Sequence, residues 1–292
     1  MPMPVAGRAP LVNSLSRSGA GTFTVAEYNV ENLFDGQTVK LKGELVAKPD
    51  AAKQAVAKSL HELNPDVVGL VEVESLPTLR KFRDDYLADL GYRNLTLIEG
   101  NDTRGIDVAV LSRFPIVGIK SHKDVTFPVA GRPAPEKFSR DLVQASIQLP
   151  SGYRFEFFVT HLKAITVDPK ANAKREAEAT TVHNILAKVE KANPNSNYAV
   201  VGDFNDLPTS PYLKPLLAPS ADLRLFDVLS ELGAKAFSFH PEEYRGRIDY
   251  ILISEGMKRE YVSRSAKILD TDLARSASDH LPTAATFVDK DK

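Results

Sequence analysis

From about residue 22 to 289 the chain alternates short apolar runs with longer amphipathic stretches, and the two spacings predict strands and helices in turn. Phe23–Val30 sets β-branched and aromatic residues among polar ones, which reads as a strand running into Asn29-Val30-Glu31-Asn32. Val56, Leu60 and Leu63 share one helical face, and Lys53, Lys58 and Glu62 share the other. A helix is therefore expected from an N-cap at Asp50 to Leu63, where Asn64-Pro65-Asp66 stops it. Val67–Val71 is almost unbroken apolar sequence, as in a strand covered on both faces, and it delivers Glu72 and Glu74. A second helix over Thr78–Leu90 lines up Leu79, Phe82, Tyr86 and Leu90 and closes at Gly91. Strands resume at Tyr92–Ile98 and Ile106–Leu111.

The stretch His122–Arg140 carries Gly131 and three prolines among mixed charges, too long for an ordinary connection, and reads as a functional loop. Pro150-Ser151-Gly152 separates two strand patterns, Leu142–Leu149 and Tyr153–Leu162, which predicts a hairpin with His161 at its exit. Lys170–Ala192 is helical, polar early and apolar later. Strands follow at Tyr198–Gly202, Arg247–Ile253 and near Thr283–Val288. Hairpins beside doubly covered strands, without strict βαβ alternation, imply an α/β (α+β) fold of two packed mixed sheets flanked by helices. No interior stretch has linker composition, so residues 22–289 are expected to form one domain. The start, rich in Pro, Ser, Gly and Ala, reads as a flexible lead-in over 1–21, and 290–292 as a tail.

Composition sharpens this. With 43% hydrophobic and 26% charged residues the chain is neither disordered nor fibrous. Its 37 basic and 38 acidic side chains leave a formal net charge of −1, so any polyanion site has to be local. The absence of cysteine excludes disulfides, thiolate zinc and a cysteine nucleophile. No apolar run is long enough to span a bilayer, so integral membrane association is not expected. Compartment and oligomeric state are not encoded in any recognisable pattern.

The chemistry collects where strands are expected to end. Asn29 and Glu31, Glu72 and Glu74, His161, Asp203 and Asn205, Asp249, and Asp279 and His280 each close or flank a strand, and strand ends on one sheet edge converge. Oxygen-rich ligands without cysteine favour a hard cation such as Mg²⁺, Mn²⁺ or Ca²⁺, ions that mostly serve phosphate chemistry. Water attacking a phosphodiester must lose a proton and the leaving alkoxide must be neutralised, so two acid–base groups and a cation are the minimum kit.

In chain order, Tyr28-Asn29-Val30-Glu31-Asn32, Val71-Glu72-Val73-Glu74, Thr160-His161-Leu162-Lys163, Gly202-Asp203-Phe204-Asn205-Asp206, Arg247-Ile248-Asp249-Tyr250 and Ser278-Asp279-His280 resemble the motifs of the endonuclease/exonuclease/phosphatase superfamily over residues 24–287. The resemblance implies a four-layer α/β sandwich and a divalent metal, Mg²⁺ or Mn²⁺ with Ca²⁺ also admitted. It further implies that Glu72 binds the metal, with Asn29 beside it, Asp279 as a further ligand and Glu31 as a weaker candidate. It makes Asp203 and Asn205 the pair that orients the attacking water and a phosphoryl oxygen. His280 becomes the imidazole near the scissile phosphate with Asp249 as its carboxylate partner, and His161 the group assisting the leaving oxygen. Whether Asp203 or His280 takes the proton is left open by the residues themselves.

Arg104, Arg140, Lys163, Arg175, Arg245 and Arg247 lie near these motifs, and Lys163 and Arg175 lead as phosphate clamps, with Arg104 as a further substrate contact. Glu74 reads as a structural acid. Asp107 is either a buried ion-pair partner or an orienter for His161. Phe127, Phe138, Phe239 and Tyr244 could stack on a ring, although ordinary packing is the better explanation of them. The expectation is a metal-dependent phosphodiesterase, nuclease-like, whose partner is a phosphodiester such as nucleic acid. The alternative is a phosphatase or phospholipase-like hydrolase of small polyol, sugar or lipid phosphates, and a non-catalytic binding module on the same fold comes last.

Overall fold

The computed structural model describes residues 21–292 apart from 37, 38, 41, 42, 45 and 167. Apart from Gly21, the expected lead-in over 1–21 therefore lies outside the described residues. Twelve strands make two sheets: β1 (Thr22–Leu33), β2 (Val67–Val73), β3 (Asn94–Leu97), β4 (Asp107–Ser112), β5 (Ile116–Lys120), β6 (Val143–Gln148), β7 (Arg154–His161), β8 (Tyr198–Asp203), β9 (Leu225–Asp227), β10 (Asp249–Ser254), β11 (Lys267–Ile268) and β12 (Thr283–Val288). The longer helices are α1 (Asp50–Leu63), α2 (Leu76–Tyr86) and α3 (Pro169–Ala192); α4 (Lys214–Leu217), α5 (Glu255–Lys258) and α6 (Asp272–Ala277) are short.

The first sheet runs β11-β12-β1-β2-β4-β3 and the second β9-β10-β8-β7-β6-β5. Each is antiparallel except for one central parallel pair, β1 with β2 and β7 with β8. This is the two-sheet architecture expected from the pattern. The inner core interleaves side chains of both sheets, among them Phe23, Val25, Val71 and Val110 against Val143, Phe157, Val159 and Val201. Leu60, Leu63, Leu79 and Phe82 of α1 and α2 cover the outer face of the first sheet. Ala179, Val182 and Leu186 of α3 cover the second. Four layers result because every strand in the middle of a sheet must bury both of its faces.

Two glycines mark where that packing leaves no room for a side chain. A Cβ on Gly69 of β2 would lie 2.8 Å from a Val201 methyl of the opposite sheet. A Cβ on Gly202 would sit 1.8 Å from the Thr160 carbonyl oxygen, and its φ of 148° is one L-residues avoid. Gly202 directly precedes Asp203, so the glycine sets how closely the site carboxylate approaches β7.

Most expected elements occur within a few residues of their predicted ends. Asp50 does not cap α1; Pro49 holds that position and Asp50 pairs with Lys53 inside the first turn. The expected Thr78–Leu90 helix begins earlier, where the Ser75 hydroxyl accepts from the Thr78 N–H, and it breaks into a separate turn over Ala88–Leu90 before Gly91. The 122–140 stretch is loop, with one small ribbon pairing Thr126–Phe127 with Glu136–Lys137. Strand β1 runs past the Asn29–Asn32 cluster instead of ending before it.

Candidate functional site

The six motif segments meet at one edge of the two sheets. His161, Asp203 and Asp249 are lateral neighbours on β7, β8 and β10, His161 opposite Asp203 and Asp203 opposite Asp249. His280 arrives from the turn between α6 and β12, where the Ser278 hydroxyl donates to the Asn29 carbonyl and accepts from the His280 N–H. Asn29 and Glu72 come from the neighbouring strands β1 and β2 of the other sheet.

At Glu72 both strands depart from regular pairing. The β1–β2 register shifts between Asn29 and Leu33, and the β2–β4 register shifts between Val71 and Val73. Glu31, Asn32 and Glu72 have φ of 46°, 54° and 66°, a left-handed conformation that a non-glycine residue adopts at a cost of about 1–2 kcal/mol. Such bulges re-aim side chains, and here they turn the Glu72 carboxylate to accept from the Asn32 N–H at 3.1 Å. Asn205, φ 55°, makes the corresponding turn after β8, its N–H donating to Asp203 Oδ1 at 2.7 Å and its side-chain amide to the Leu162 carbonyl at 3.0 Å.

The centre is buried and charged. One oxygen of Asp203, Oδ2, accepts from the Asn29 amide at 3.1 Å, and it lies 3.5 Å from Nε2 of His161 and 3.6 Å from Nε2 of His280. On its other ring nitrogen His280 meets Asp249 Oδ2 at 2.8 Å. Burial pushes the Asp203 carboxyl up to about 7, with Asp249 adding to the rise and His280 opposing it. His280 moves well above the ordinary histidine value, because Asp249 and Asp203 outweigh the desolvation that opposes them. His161 moves the other way, well below it, through burial and then the positive charges of Arg140, His280, Arg104 and Lys163. The surroundings therefore bias the two imidazoles in opposite directions, His280 toward the cation between carboxylates and His161 toward the neutral form.

Two arrangements here have oxygen donors for a hard cation. Asp203, Asp249 and His280 offer three ligand atoms within 4.8 Å of one another, and His280 offsets part of the carboxylates' charge while spending one nitrogen on Asp249. Glu72 and Asp279 are less well balanced: burial and then the neighbouring Glu72 charge push the Asp279 carboxyl up, against the opposing pull of His280. Carboxylate oxygens are donors of the kind that a Mg²⁺-type ion takes.

Sequence reasoning missed two residues. Lys48 is buried, donates to the Glu31 carbonyl at 2.9 Å and stands 3.8 Å from Glu31 Oε2, within reach of the Asp279 and Glu72 charges. It lies in no motif, between strand and helix, and only its isolation in that segment could have drawn notice. Glu27, two positions before Asn29, is fully buried and neither carboxylate oxygen has a hydrogen-bond partner among the described residues. Burial and then the Asp249 and Asp203 charges push it well above the usual carboxylate range. An acidic residue inside a strand whose both faces are covered was its only signal.

The basic residues divide. Arg104 is half exposed, 3.9 Å from Glu72 Oε1 and 3.4 Å from Asn32 Oδ1, at the rim of the site. Lys163 is half-buried beside Arg140. Arg175 is not a phosphate clamp: it is 1% exposed, and its guanidinium is consumed by Asp206 Oδ2 at 2.9 and 2.7 Å, the Lys163 carbonyl and Asn172. Arg247 is likewise paired to Asp227, and Arg140 to Asp102 and the Leu162 carbonyl. Asp107 accepts from the Gly100 N–H at 2.6 Å, which pins the loop carrying Asp102 and Arg104. Phe127 and Phe138 are buried against each other, whereas the Phe239 ring lies edge-on to His280 with centroids 5.0 Å apart.

A family model described as endonuclease/exonuclease/phosphatase family matches residues 24–288. The chain belongs to the endonuclease/exonuclease/phosphatase family. Membership makes it a phosphoesterase by class, with a phosphoester as the substrate that the family implies. No curated protein matches the chain. Among solved structures, the catalytic domain of human Nocturnin with a bound sulfate aligns at 19% identity and a TM-score of 0.65, covering 91% of this chain and 94% of that one. An endonuclease/exonuclease/phosphatase from Bacteroides vulgatus aligns at 16% identity and a TM-score of 0.64, covering 92% and 99%. Truncated TDP2 of Caenorhabditis elegans aligns at 17% and 0.58, covering 94% and 100%. At these identities the likeness is one of fold, and it places this family member in the four-layer architecture. No helix among the described residues is long and apolar enough to cross a membrane.

Proposed function

We propose that this family member is a divalent-metal-dependent phosphodiesterase that hydrolyses P–O bonds of a nucleic-acid-type diester with activated water. The observation that carries the reading is the single oxygen Asp203 Oδ2, flanked by two imidazoles at 3.5 and 3.6 Å whose surroundings bias their protonation in opposite directions. Such a carboxylate is placed to take the proton of an attacking water, and the pull of burial toward neutrality matches a base working near pH 7. Asn29 and Asn205 fix its two oxygens, so the base does not rotate away from the water. His280, a cation backed by Asp249, stabilises the negative charge that gathers on the phosphoryl oxygens. His161, biased toward the neutral form in the free protein, takes up a proton once an anionic substrate sits beside it and passes that proton to the leaving oxygen as the P–O bond breaks. Glu72 and Asp279, with Asn29, would hold the cation, Mg²⁺ or Mn²⁺, whose contribution is to neutralise charge on the phosphate.

The test compares bis(p-nitrophenyl) phosphate, p-nitrophenyl phosphate and supercoiled plasmid, each with Mg²⁺, Mn²⁺, Ca²⁺ or EDTA. Metal-dependent cleavage of the diester and nicking of the plasmid are expected. Turnover of the monoester alone would replace this reading with a phosphatase.

A further inference from the structure

At Lys163, two residues past His161, a cleft of about 390 Å³ opens between the Asn101–Thr103 loop, the Glu136–Ser139 end of the long loop and Lys174 of α3. Its acids are already spoken for. Asp102 pairs with Arg140 at 3.0 Å, and Glu136 pairs with Lys174 at 2.9 Å through one oxygen and with Arg132 at 3.3 Å through the other. Lys163 is half-buried and has no ion-pair partner within 4 Å among the described residues; Arg140 and Lys174 repel it, Asp102 and Glu178 attract it, and neither acid pairs with its ammonium directly. With Asp102 and Glu136 engaged by Arg140 and Lys174, Lys163 is a cation of this cleft left for an anionic ligand.

The walls are rigid before any ligand arrives. The buried Glu178 carboxylate of α3 accepts from the Ser139 N–H at 2.8 Å and the Lys163 N–H at 2.7 Å, tying two walls to one helix. Asn101 donates to the Phe138 carbonyl at 3.0 Å, and this joins the third. Preorganised walls spare a ligand the cost of ordering them.

We propose that this cleft is a subsite for a second phosphate of the substrate, carried on the leaving-group side of the scissile bond. The inference rests on the phosphodiesterase reading above and narrows it. The side follows from His161, the imidazole assigned to the leaving oxygen, which ends β7 two residues before Lys163 and lies within the field of Arg140, Arg104 and Lys163. The same walls disfavour a lipid diester, since an acyl chain laid across Lys163, Lys174 and Glu136 would strip water from charged groups and return no hydrogen bonds. A substrate with phosphates in series, such as an oligonucleotide, fits.

The dinucleotide TpT has one diester and no further phosphate; pTpT and TpTp add a terminal phosphate at one end or the other. With Mg²⁺ present, one of the two phosphorylated forms should exceed TpT in kcat/KM by roughly tenfold or more, the scale of one charge-assisted hydrogen bond. In Lys163→Met, which keeps the aliphatic stem, that ratio should fall to about one, and in Lys174→Ala it should fall partway, with melting temperatures unchanged in both. Equal hydrolysis of all three dinucleotides by the wild type, or a full preference retained in Lys163→Met, overturns the subsite while leaving the phosphodiesterase standing. Cleavage of p-nitrophenyl phosphate with no cleavage of any diester overturns both.

Discussion

Nδ1 of His280 lies 2.8 Å from Oδ2 of Asp249, and the two residues belong to different sheets: Asp249 opens β10, and His280 sits in the turn that feeds β12. The contact is thus an inter-sheet tie as well as a charge pair, formed only when the sheets have packed in register. Asp249→Asn keeps the shape and removes the charge that holds His280 protonated. Turnover should drop about a hundredfold or more, the span for loss of an acid–base group, while circular dichroism stays native. Near-wild-type rates would remove Asp249 from the reaction.

His161→Ala and His280→Ala should each lower turnover by about a hundredfold or more, but they should melt differently. Removing His280 leaves the Asp203 and Asp249 carboxylates buried without their cation, a loss of about 3–5 kcal/mol for a broken buried pair. His161 is biased toward the neutral form, so its loss strips little charge balance and its melting temperature should fall far less. Equal melting of the two variants would contradict the opposite biases in protonation.

The pH profile has a definite sign. Asp203 is raised to about 7, so below that pH it carries the proton it has to accept, and above it the carboxylate is free. kcat/KM should rise through neutrality with one ionisation and then level off. A profile already flat from about pH 5 would assign the base elsewhere.

Arg175 and Arg104 separate a structural role from a functional one. Arg175→Ala leaves Asp206 buried and unpaired, so a destabilisation of about 3–5 kcal/mol is expected in denaturant titrations. Arg104→Ala, at an exposed position, should melt as the wild type does and instead raise KM and flatten the salt dependence on charged diesters. The reverse outcome would restore Arg175 as a substrate contact.

Activity should vanish in EDTA and return with Mg²⁺ or Mn²⁺, and Glu72→Gln should raise the metal concentration needed for half activity. Lys48→Met tests the same place with no turnover readout. It withdraws a positive charge near Glu31, Glu72 and Asp279, so calorimetry should find tighter Mn²⁺ binding and a lower melting temperature without metal. Weaker Mn²⁺ binding in Lys48→Met would show that the lysine positions ligands and does not compete with the ion.

Much of this was legible in the residues, for reasons that also explain the remainder. Val67–Val71 announces a strand covered twice, and the strand is there, because burial on both faces leaves an unbroken apolar run; Glu72 follows it at the edge where the motif segments meet. Arg175 misled because its partner, Asp206, is remote in sequence, and a polar position on a helix gives no hint of which element lies opposite. Lys48 and Glu27 lie where pattern is silent, one in a connecting segment and one inside an apolar strand. Strand β5 went unread because it is an edge strand whose half-exposed Ile116–Lys120 has no clean alternation.

Because β12 pairs with β1 along Thr22–Glu27, and because Asn29, Glu72, His161, Asp203, Asp249 and His280 are strung along most of the chain, no fragment of the polypeptide owns the hydrolytic centre. A chain cut between residues 33 and 278 therefore separates residues of one site, and the site is assembled only when residues 278–288 dock beside the first strand.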